Sequence, residues 1–185
     1  MNTRFRSTLL ALTLAVAPVA IAPAFAQVMV GGAPMYATKD IVDNAVNSKD
    51  HTPLVAAVTA AGLVDTLKSK GPFTVFAPVN EAFTALPPGT VDTLLKPENK
   101  GTLTKVLTFH VVPGNYDSVA LMKLIKDGKG TAHLKTAEGE MLSLTQIGSV
   151  ITVSDSKGGM SHVTIADVKQ SNGVIHVVDK VLLPA

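Results

Sequence analysis

Apolar residues return every three or four positions between residues 40 and 128, which is the spacing of helices that pack one face on a core. Thr52 is predicted to be a helix N-cap followed by Pro53 at the first helical position, and Gly62 is typical of a helix end. A short run rich in β-forming residues, 73–77, interrupts the helical pattern and predicts one buried strand. This part of the chain is therefore predicted to hold several short helices around an early strand.

Polar residues mark the starts of two of these helices, where a side-chain oxygen accepts a hydrogen bond from a free backbone N–H group. Asn80 follows Pro78 at the junction between the early strand and the next helix, and we interpret it as a capping residue. Asp117 or Ser118 is predicted to cap a later helix that Gly128 ends. Asn80 is thus assigned a structural role rather than a role in binding.

The pattern changes after residue 130 to short β-branched segments in which apolar and polar residues partly alternate. Turn sequences such as Glu138-Gly139 and Asn172-Gly173 separate these segments, which indicates hairpins of an antiparallel sheet. The predicted strands are 132–135, 140–145, 150–154, 161–168 and 174–183. Because the helices come first and the strands later, the fold class is predicted to be α+β rather than a wound parallel sheet.

Residues 1–26 have the features of a secretory signal peptide. Arg4 and Arg6 supply a positive start, and the apolar run 9–17 is too short to span a bilayer. The small-residue pattern Ala24-Phe25-Ala26 is typical of a cleavage site. The alternative is an N-terminal membrane anchor, but the signal peptide fits the short run and the cleavage pattern better.

The mature chain is predicted to comprise a lead-in over residues 27–39, extended or loose, and one domain over residues 40–185. Without the two arginines, its 14 lysines balance its 14 acidic residues, which argues against binding to nucleic acid. Cysteine is absent, so the domain depends on its core rather than on disulfides. No later apolar segment has spanning length, and we expect an exported protein, periplasmic or extracellular, that is not integral to the membrane.

Reactive groups at catalytic spacing are lacking, since the chain has no cysteine nucleophile, serine-hydrolase elbow, zinc-protease motif or phosphate-binding loop. No two histidines lie three or four positions apart, so no local metal clip is present; a site assembled from distant histidines is the alternative. The histidines are His51, His110, His133, His162 and His176. We therefore expect a binding protein with no cofactor, metal or catalytic residue, and not an enzyme.

Two histidines, His110 and His176, lie inside apolar runs and are predicted to be buried. A buried neutral imidazole needs both a donor and an acceptor partner, so each ring is expected to hold a turn or a neighbouring strand through backbone hydrogen bonds. A ligand or pH-switch role is the alternative for both. Asp179 is interpreted as a carboxylate that either lies at a strand edge or is paired.

Three stretches resemble the sequence motifs of fasciclin (FAS1) domains. The run 71–83, Gly-Pro-Phe-Thr-Val-Phe-Ala-Pro-Val-Asn-Glu-Ala-Phe, is similar to the first signature of the family, and Phe109 to Gly114 is similar to its central Tyr-His motif. The run 172–184, from Asn172 to Pro184, is similar to the second signature. The motifs occur in the order of the family and cover nearly the whole predicted mature chain.

The resemblance implies a wedge-shaped β-sandwich of two sheets with several helices packed around it. This implied fold agrees with the α+β class that the helix and strand patterns predict. Within the two signatures, we carry over five positions as structural motif residues, namely Phe76, Pro78, Asn80, His176 and Asp179.

The resemblance also implies a role in adhesion, because family members mediate attachment between cells or between cells and matrix. In animal members, an Asp-Ile pair before the second signature and the Tyr-His region are implicated in integrin binding. The matching positions here are Asp167-Val168 and Phe109-His110, and both pairs differ from the animal pattern. The expected partner is a cell-surface or matrix protein or a polysaccharide. A single domain can bridge two surfaces only by forming a homodimer or by binding two partners.

An alternative of a different class is a carrier of a small apolar ligand such as a carotenoid or a lipid. Some secreted fasciclin-like proteins bind carotenoids, and a groove between helices and sandwich would suit such a molecule. The composition agrees with this alternative, since 46% of the residues are hydrophobic and only 16% are charged.

Overall fold

Helices account for most of the first half of the chain in the computed structural model, which describes residues 27–185. The predicted signal peptide, residues 1–26, lies outside the described residues. Within the described range there are seven α-helices: α1 Ile41–Ala45, α2 Thr52–Ala61, α3 Val64–Lys68, α4 Asn80–Thr84, α5 Thr90–Leu94, α6 Lys100–Phe109 and α7 Ser118–Asp127. Two short 3₁₀ turns, Lys49–His51 and Pro97–Asn99, precede α2 and α6. None of the helices in residues 27–185 combines the length and the apolar character needed to cross a bilayer.

Nine strands of the described chain form one small and one large hydrogen-bonded array. The strands are β1 Met29–Val30, β2 Ala33–Pro34, β3 Phe73–Pro78, β4 Val111–Pro113, β5 Thr131–Lys135, β6 Met141–Ile147, β7 Val150–Ser154, β8 Met160–Gln170 and β9 Gly173–Val178. β1 and β2 pair only with each other, whereas the other seven follow the order β4-β3-β9-β8-β7-β6-β5. The α+β class predicted from the pattern is confirmed.

The long strand β8 belongs to both layers of the sandwich. Its first residues pair with β7, and its remaining residues pair with β9. The register with β9 shifts between Val163 and Ile165 and again between Ile165 and Val168. Bulges of this kind bend a strand and increase its twist. β8 therefore passes from the sheet β5-β6-β7 to the sheet β4-β3-β9, which gives the predicted sandwich of two sheets.

The pairing of β3 with β9 is parallel, from Phe73 opposite Gly173 to Pro78 opposite Val178. The hairpin pattern correctly predicts antiparallel neighbours from β5 to β9, but it does not predict this parallel pair. The two strands lie about a hundred residues apart in the chain, and no local turn signal connects them.

Two apolar cores occupy the two faces of the sheet β4-β3-β9. One core lies between this sheet and the helices α1, α2, α3 and α6, and it includes Ala57, Leu67 and Leu107. The other lies between the two sheets and includes Phe109, Leu142 and Leu144. β3 and β9 are buried on both faces for this reason, which explains why their sequences are continuous apolar runs.

The lead-in at residues 27–39 is neither loose nor separate from the domain core. β1 and β2 form a hairpin whose turn is Gly31-Gly32, both with positive φ. Val30 and Met35 on this hairpin are buried in the helix-side core. The Gly-Gly pair explains the tight turn, because only glycine adopts two successive left-handed conformations at little cost.

The helix ends follow the sequence signals in part. Gly62 ends α2 with φ 73°, and Asp117 caps α7 by accepting a 2.9 Å hydrogen bond from the Ala120 N–H, as predicted. The prediction that Thr52 caps α2 is wrong. Thr52 is itself the first helical residue of α2, and its hydroxyl donates to the Lys49 carbonyl at 3.3 Å.

Asn80 caps a helix, but not the one that the sequence indicates. It is the first residue of α4, and its side chain turns to the start of α2 instead. Its Oδ1 accepts a hydrogen bond from the Thr52 N–H at 3.2 Å, and its Nδ2 donates to the Lys49 carbonyl at 2.7 Å. The strand–helix junction therefore holds a neighbouring helix in place through Asn80.

Asn172 joins three separated parts of the chain and is only 6% exposed. Its Oδ1 accepts a hydrogen bond from the Ile41 N–H at 3.1 Å, at the start of α1. Its Nδ2 donates to the carbonyls of Leu67 at 2.7 Å and Ser69 at 2.9 Å, at the end of α3. One side chain thus satisfies three backbone groups that these helix ends leave unpaired.

We expect Asn172→Ala to lower the free energy of unfolding by about 2–4 kcal/mol, because it leaves buried backbone groups without partners. Urea denaturation measures this loss. The matched control is Asn47→Ala, which removes one exposed hydrogen bond to the Asp43 carbonyl and should cost less than about 1 kcal/mol. Equal losses in the two variants would contradict the role assigned to Asn172.

Candidate apolar binding cavity

A cavity of about 350 Å³ lies between the helices α1–α3 and one face of the sheet β4-β3-β9. This volume falls within the range of small-molecule sites, roughly 300–1,000 Å³. Its floor consists of side chains from four neighbouring strands, namely Val75, Ala77, Val111, Val168, Ile175 and Val177. Its roof consists mainly of helix side chains, among them Ile41, Val42, Leu54, Val58, Val64 and Leu67.

Strand alternation and parallel register together produce the apolar floor. Val75 and Ala77 on β3 are opposite Ile175 and Val177 on β9, so the four side chains form a continuous patch. The residue between them on β3, Phe76, packs into the core between the sheets, although it also borders the cavity. Successive side chains of this buried strand therefore point in turn to the cavity side and to the core between the sheets.

Polar side chains are few in the cavity wall, and nearly all of them already have partners. Thr59 donates its hydroxyl to the Val55 carbonyl at 2.8 Å, and both ring nitrogens of His110 are hydrogen bonded. Ser48 Oγ lies 2.9 Å from Nδ1 of His51. The exception is Nε2 of His51, which is buried and has no hydrogen-bond partner.

His51 is 3% exposed and ends the 3₁₀ turn before α2. Burial lowers the pKa of His51 below its ordinary value of 6.5, while the Ala77 backbone and the Asp50 carboxylate act in the opposite direction. The Ala77 backbone is the hydrogen-bonding group next to the ring, although its geometry with Nε2 is not that of an ordinary hydrogen bond. The ring is therefore neutral near pH 7.

The rings of His110 and His176 form hydrogen bonds with backbone groups of neighbouring segments. His110 donates from Nδ1 to the Val106 carbonyl at 2.8 Å, and its Nε2 accepts from the Leu182 N–H at 3.0 Å. His176 donates from Nε2 to the Tyr116 carbonyl at 2.8 Å, and its Nδ1 faces the Asp167 N–H at 3.4 Å. Burial lowers the pKa of both rings, so each is a neutral ring with one donor and one acceptor.

The four residues that the resemblance carries over for binding are not presented to solvent. Phe109, His110 and Val168 are buried, and Val168 lines the cavity floor. Asp167 is half-buried with φ 60°, and both of its carboxylate oxygens accept hydrogen bonds from Ser118, one from the N–H and one from the hydroxyl. This carboxylate holds the start of α7 against the bulge in β8.

The structure does not bring the two carried-over pairs together. Phe109 ends α6 and His110 precedes β4, whereas Asp167 and Val168 lie on β8, with β3 and β9 between β4 and β8. Phe76 on β3 and His176 on β9 are stacked at a ring-centroid distance of 5.7 Å. Phe76 also donates its N–H to the His110 carbonyl at 2.9 Å. Pro78 is buried at the end of β3, opposite Val178 on β9.

Asp179 follows β9 and is paired, as the sequence suggests. One oxygen accepts from the Ser161 hydroxyl at 3.0 Å and the His162 N–H at 2.7 Å, and the other lies 3.1 Å from Nδ1 of His162. Burial alone would raise the pKa of Asp179, but the hydrogen bonds from His162 and Ser161 outweigh it and lower the pKa. Across residues 27–185, no three His, Asp or Glu side chains group as metal ligands.

Sequence reasoning names His51 only as one of five scattered histidines and does not connect it to a cavity. The one local signal is Ser48, three residues earlier, at a turn that leads into a helix. This signal is weak, because the cavity wall is drawn from residues between 30 and 177 and exists only after folding.

Comparison with known proteins gives the family of the chain. The family model of the Fasciclin domain matches residues 49–184. Protein sll1483 of Synechocystis sp. is 46% identical over 146 residues, which cover 78% of this chain and 73% of that protein. Transforming growth factor-beta-induced protein ig-h3 of Sus scrofa is 39% identical over 132 residues, covering 71% of this chain and 17% of that protein. The chain belongs to the fasciclin family.

A solved structure confirms the fold that the resemblance implies. A FAS1 domain pair from the insect cell adhesion molecule fasciclin I matches with a TM-score of 0.68. The match covers 77% of this chain and 50% of that chain at 18% sequence identity, so it is evidence about the fold.

The three buried histidines, His51, His110 and His176, predict how stability depends on pH. Burial lowers each pKa below 6.5, so the unfolded chain binds protons more readily than the folded one. Their contribution to stability is fully present above pH 6.5 and is lost as the pH falls towards the folded pKa values. We therefore expect a lower urea midpoint at pH 5 than at pH 7.5.

Variants identify the source of this effect. His133→Gln alters an exposed histidine and should leave the pH profile unchanged, whereas His176→Gln should make it shallower. The carboxylates with lowered pKa values, Asp40 and Asp179, lose their contribution only below about pH 3.8, outside this window. A midpoint that stays constant between pH 7.5 and pH 5 would refute the prediction.

Proposed function

We propose that this chain is an exported binding module that attaches to a cell-surface or matrix protein or polysaccharide and catalyses no reaction. Its membership of the fasciclin family is the observation that supports attachment, together with a fold shared with a cell adhesion molecule. The signal-like sequence of residues 1–26 supports export to the periplasm or the cell exterior.

The positions of the carried-over residues suggest where attachment occurs. Phe109, His110 and Val168 are buried, so they support the surface from below rather than touch a partner. Asp167 holds Ser118, and the next residue, Val119, is 68% exposed at the start of α7. We propose that the α7 start, positioned by Asp167, forms part of the attachment surface.

We expect Val119→Asp to reduce attachment severalfold, because a charge replaces apolar contact area at the centre of the proposed surface. The measurement is the retention of cells or matrix material on surfaces coated with the purified protein. Met29→Asp is the matched control, since Met29 is 54% exposed on the separate β1–β2 hairpin. If the unaltered protein retains neither cells nor matrix, attachment is not its function.

A second candidate function is carriage of a small apolar molecule, and the cavity favours it. About 350 Å³ of space bounded by aliphatic side chains is larger than the voids of close-packed cores. Apolar space of this size gains stability when an apolar molecule fills it, because the wall atoms then recover their missing contacts. Both functions are compatible with one domain, since the cavity and the α7 start are different places.

Native mass spectrometry of protein purified from its own host tests carriage, with an added mass that disappears on denaturation as the expected result. Ala45→Phe should abolish the added mass, because residue 45 lines the cavity and the larger ring fills it. Ala56→Phe on the exposed face of α2 should retain it. A bare polypeptide in both the unaltered protein and the control would contradict carriage, and the same spectra reveal any homodimer.

A further inference from the structure

The apolar cavity is closed on the side of the sheet and open on the side of the helices. Its six floor residues, from β3, β4, β8 and β9, are each between 1% and 6% exposed. Val46, directly after α1, also lines the cavity, yet it is 54% exposed. A wall residue with this much exposure marks a place where the cavity reaches solvent.

Partly exposed apolar side chains from three helices border this opening, which we call the mouth. Val42 on α1, Val55 on α2 and Val64 on α3 are half-buried, and so is Leu63 directly before α3. Together with Val46, these residues line the cavity and also reach the surface of the domain. The rim of the mouth is therefore apolar, like the wall behind it.

Polar ligand groups find no free partner inside the cavity. No Lys, Arg, Asp or Glu side chain of the described chain lines it. The hydroxyl of Thr59 and both ring nitrogens of His110 form hydrogen bonds within the protein. Near the rim, Lys68 pairs with Asp40 at 3.3 Å and also with Asp43. A polar group of a ligand is thus costly inside and keeps its water only at the mouth.

The volume of the cavity limits how much of a chain it encloses. At about 30 Å³ for a group the size of a water molecule, the cavity of about 350 Å³ holds at most about twelve methylene groups. A longer chain must extend through the mouth, and a bulky polar group must remain outside.

We propose that the cavity binds a single-chain amphiphile tail first, with up to about twelve chain carbons inside and the polar end in the water at the mouth. This inference rests on the carriage function proposed above. It narrows the ligand class from any small apolar molecule to linear chains with one polar end, and it makes the mouth the route of entry.

Competition binding tests the proposal, with N-phenyl-1-naphthylamine as a neutral dye whose fluorescence rises in apolar surroundings. Decane and decyl glucoside have the same chain, but the sugar is too large and too polar to enter with it. Both compounds should displace the dye at concentrations below their solubility or micelle limits. Along a series of alkyl glucosides, the affinity should rise about fourfold per methylene and level off near about twelve carbons.

The absence of cysteine from the chain allows the mouth to be blocked chemically. Val46→Cys places a single thiol at the rim, and the matched control Ile147→Cys places one at a 62% exposed position that does not line the cavity. Reaction with polyethylene glycol maleimide after purification should slow entry of the dye severalfold at position 46 and not at position 147. Bound decyl glucoside should protect only the thiol at position 46 from the reagent.

A spin-labelled ligand locates the polar end on the unaltered protein and does not depend on a variant's folding. The lauroyl ester of 4-hydroxy-TEMPO carries a nitroxide at the polar end of its chain. The nitroxide should broaden the amide NMR signals of Val46 and Leu63 more than those of Val75 and Ile175 on the floor. Stronger broadening at the floor overturns the proposal.

The outcomes separate this inference from the carriage function itself. If decane displaces the dye but decyl glucoside does not, carriage holds and the open mouth is wrong. A fall in affinity for glucosides longer than about twelve carbons also indicates a closed cavity and contradicts the proposal. Equal rates of dye entry after labelling at positions 46 and 147 would refute the assigned route. If the unaltered protein binds neither the dye nor decane, carriage and this inference are both wrong.

Discussion

The parallel pairing of β3 with β9 is the interaction on which the other features of the structure depend. It joins residues 73–78 to residues 173–178, and both strands are buried on both faces. One face forms the floor of the cavity, and the other contributes to the core between the sheets. Such a long-range contact carries a large loop-closure cost, which the burial of two continuous apolar strands offsets.

Buried polar side chains secure the loops around this strand pair. Asn172, His110 and His176 each form hydrogen bonds with backbone groups from other segments. These buried polar atoms therefore fix the positions of the connecting segments. Asp167 does the same at the start of α7. The residues that the family resemblance associates with binding are thus parts of the scaffold.

The wall of the cavity is mainly aliphatic, and its few polar side chains are largely hydrogen bonded within the protein. The neutral buried histidines make the stability of the fold depend on pH, because acid favours the unfolded chain.

Local pattern in the sequence determined the short helices, the hairpins from β5 to β9 and the ends marked by Gly62 and Asp117, because neighbouring residues set these features. The motif resemblance predicted the family and the sandwich of two sheets. Only the tertiary structure decided that β3 pairs in parallel with β9, that Asn80 caps α2 and that His51 lines a cavity. Each of these depends on groups far apart in the chain, and periodicity contains no information about which distant segments meet.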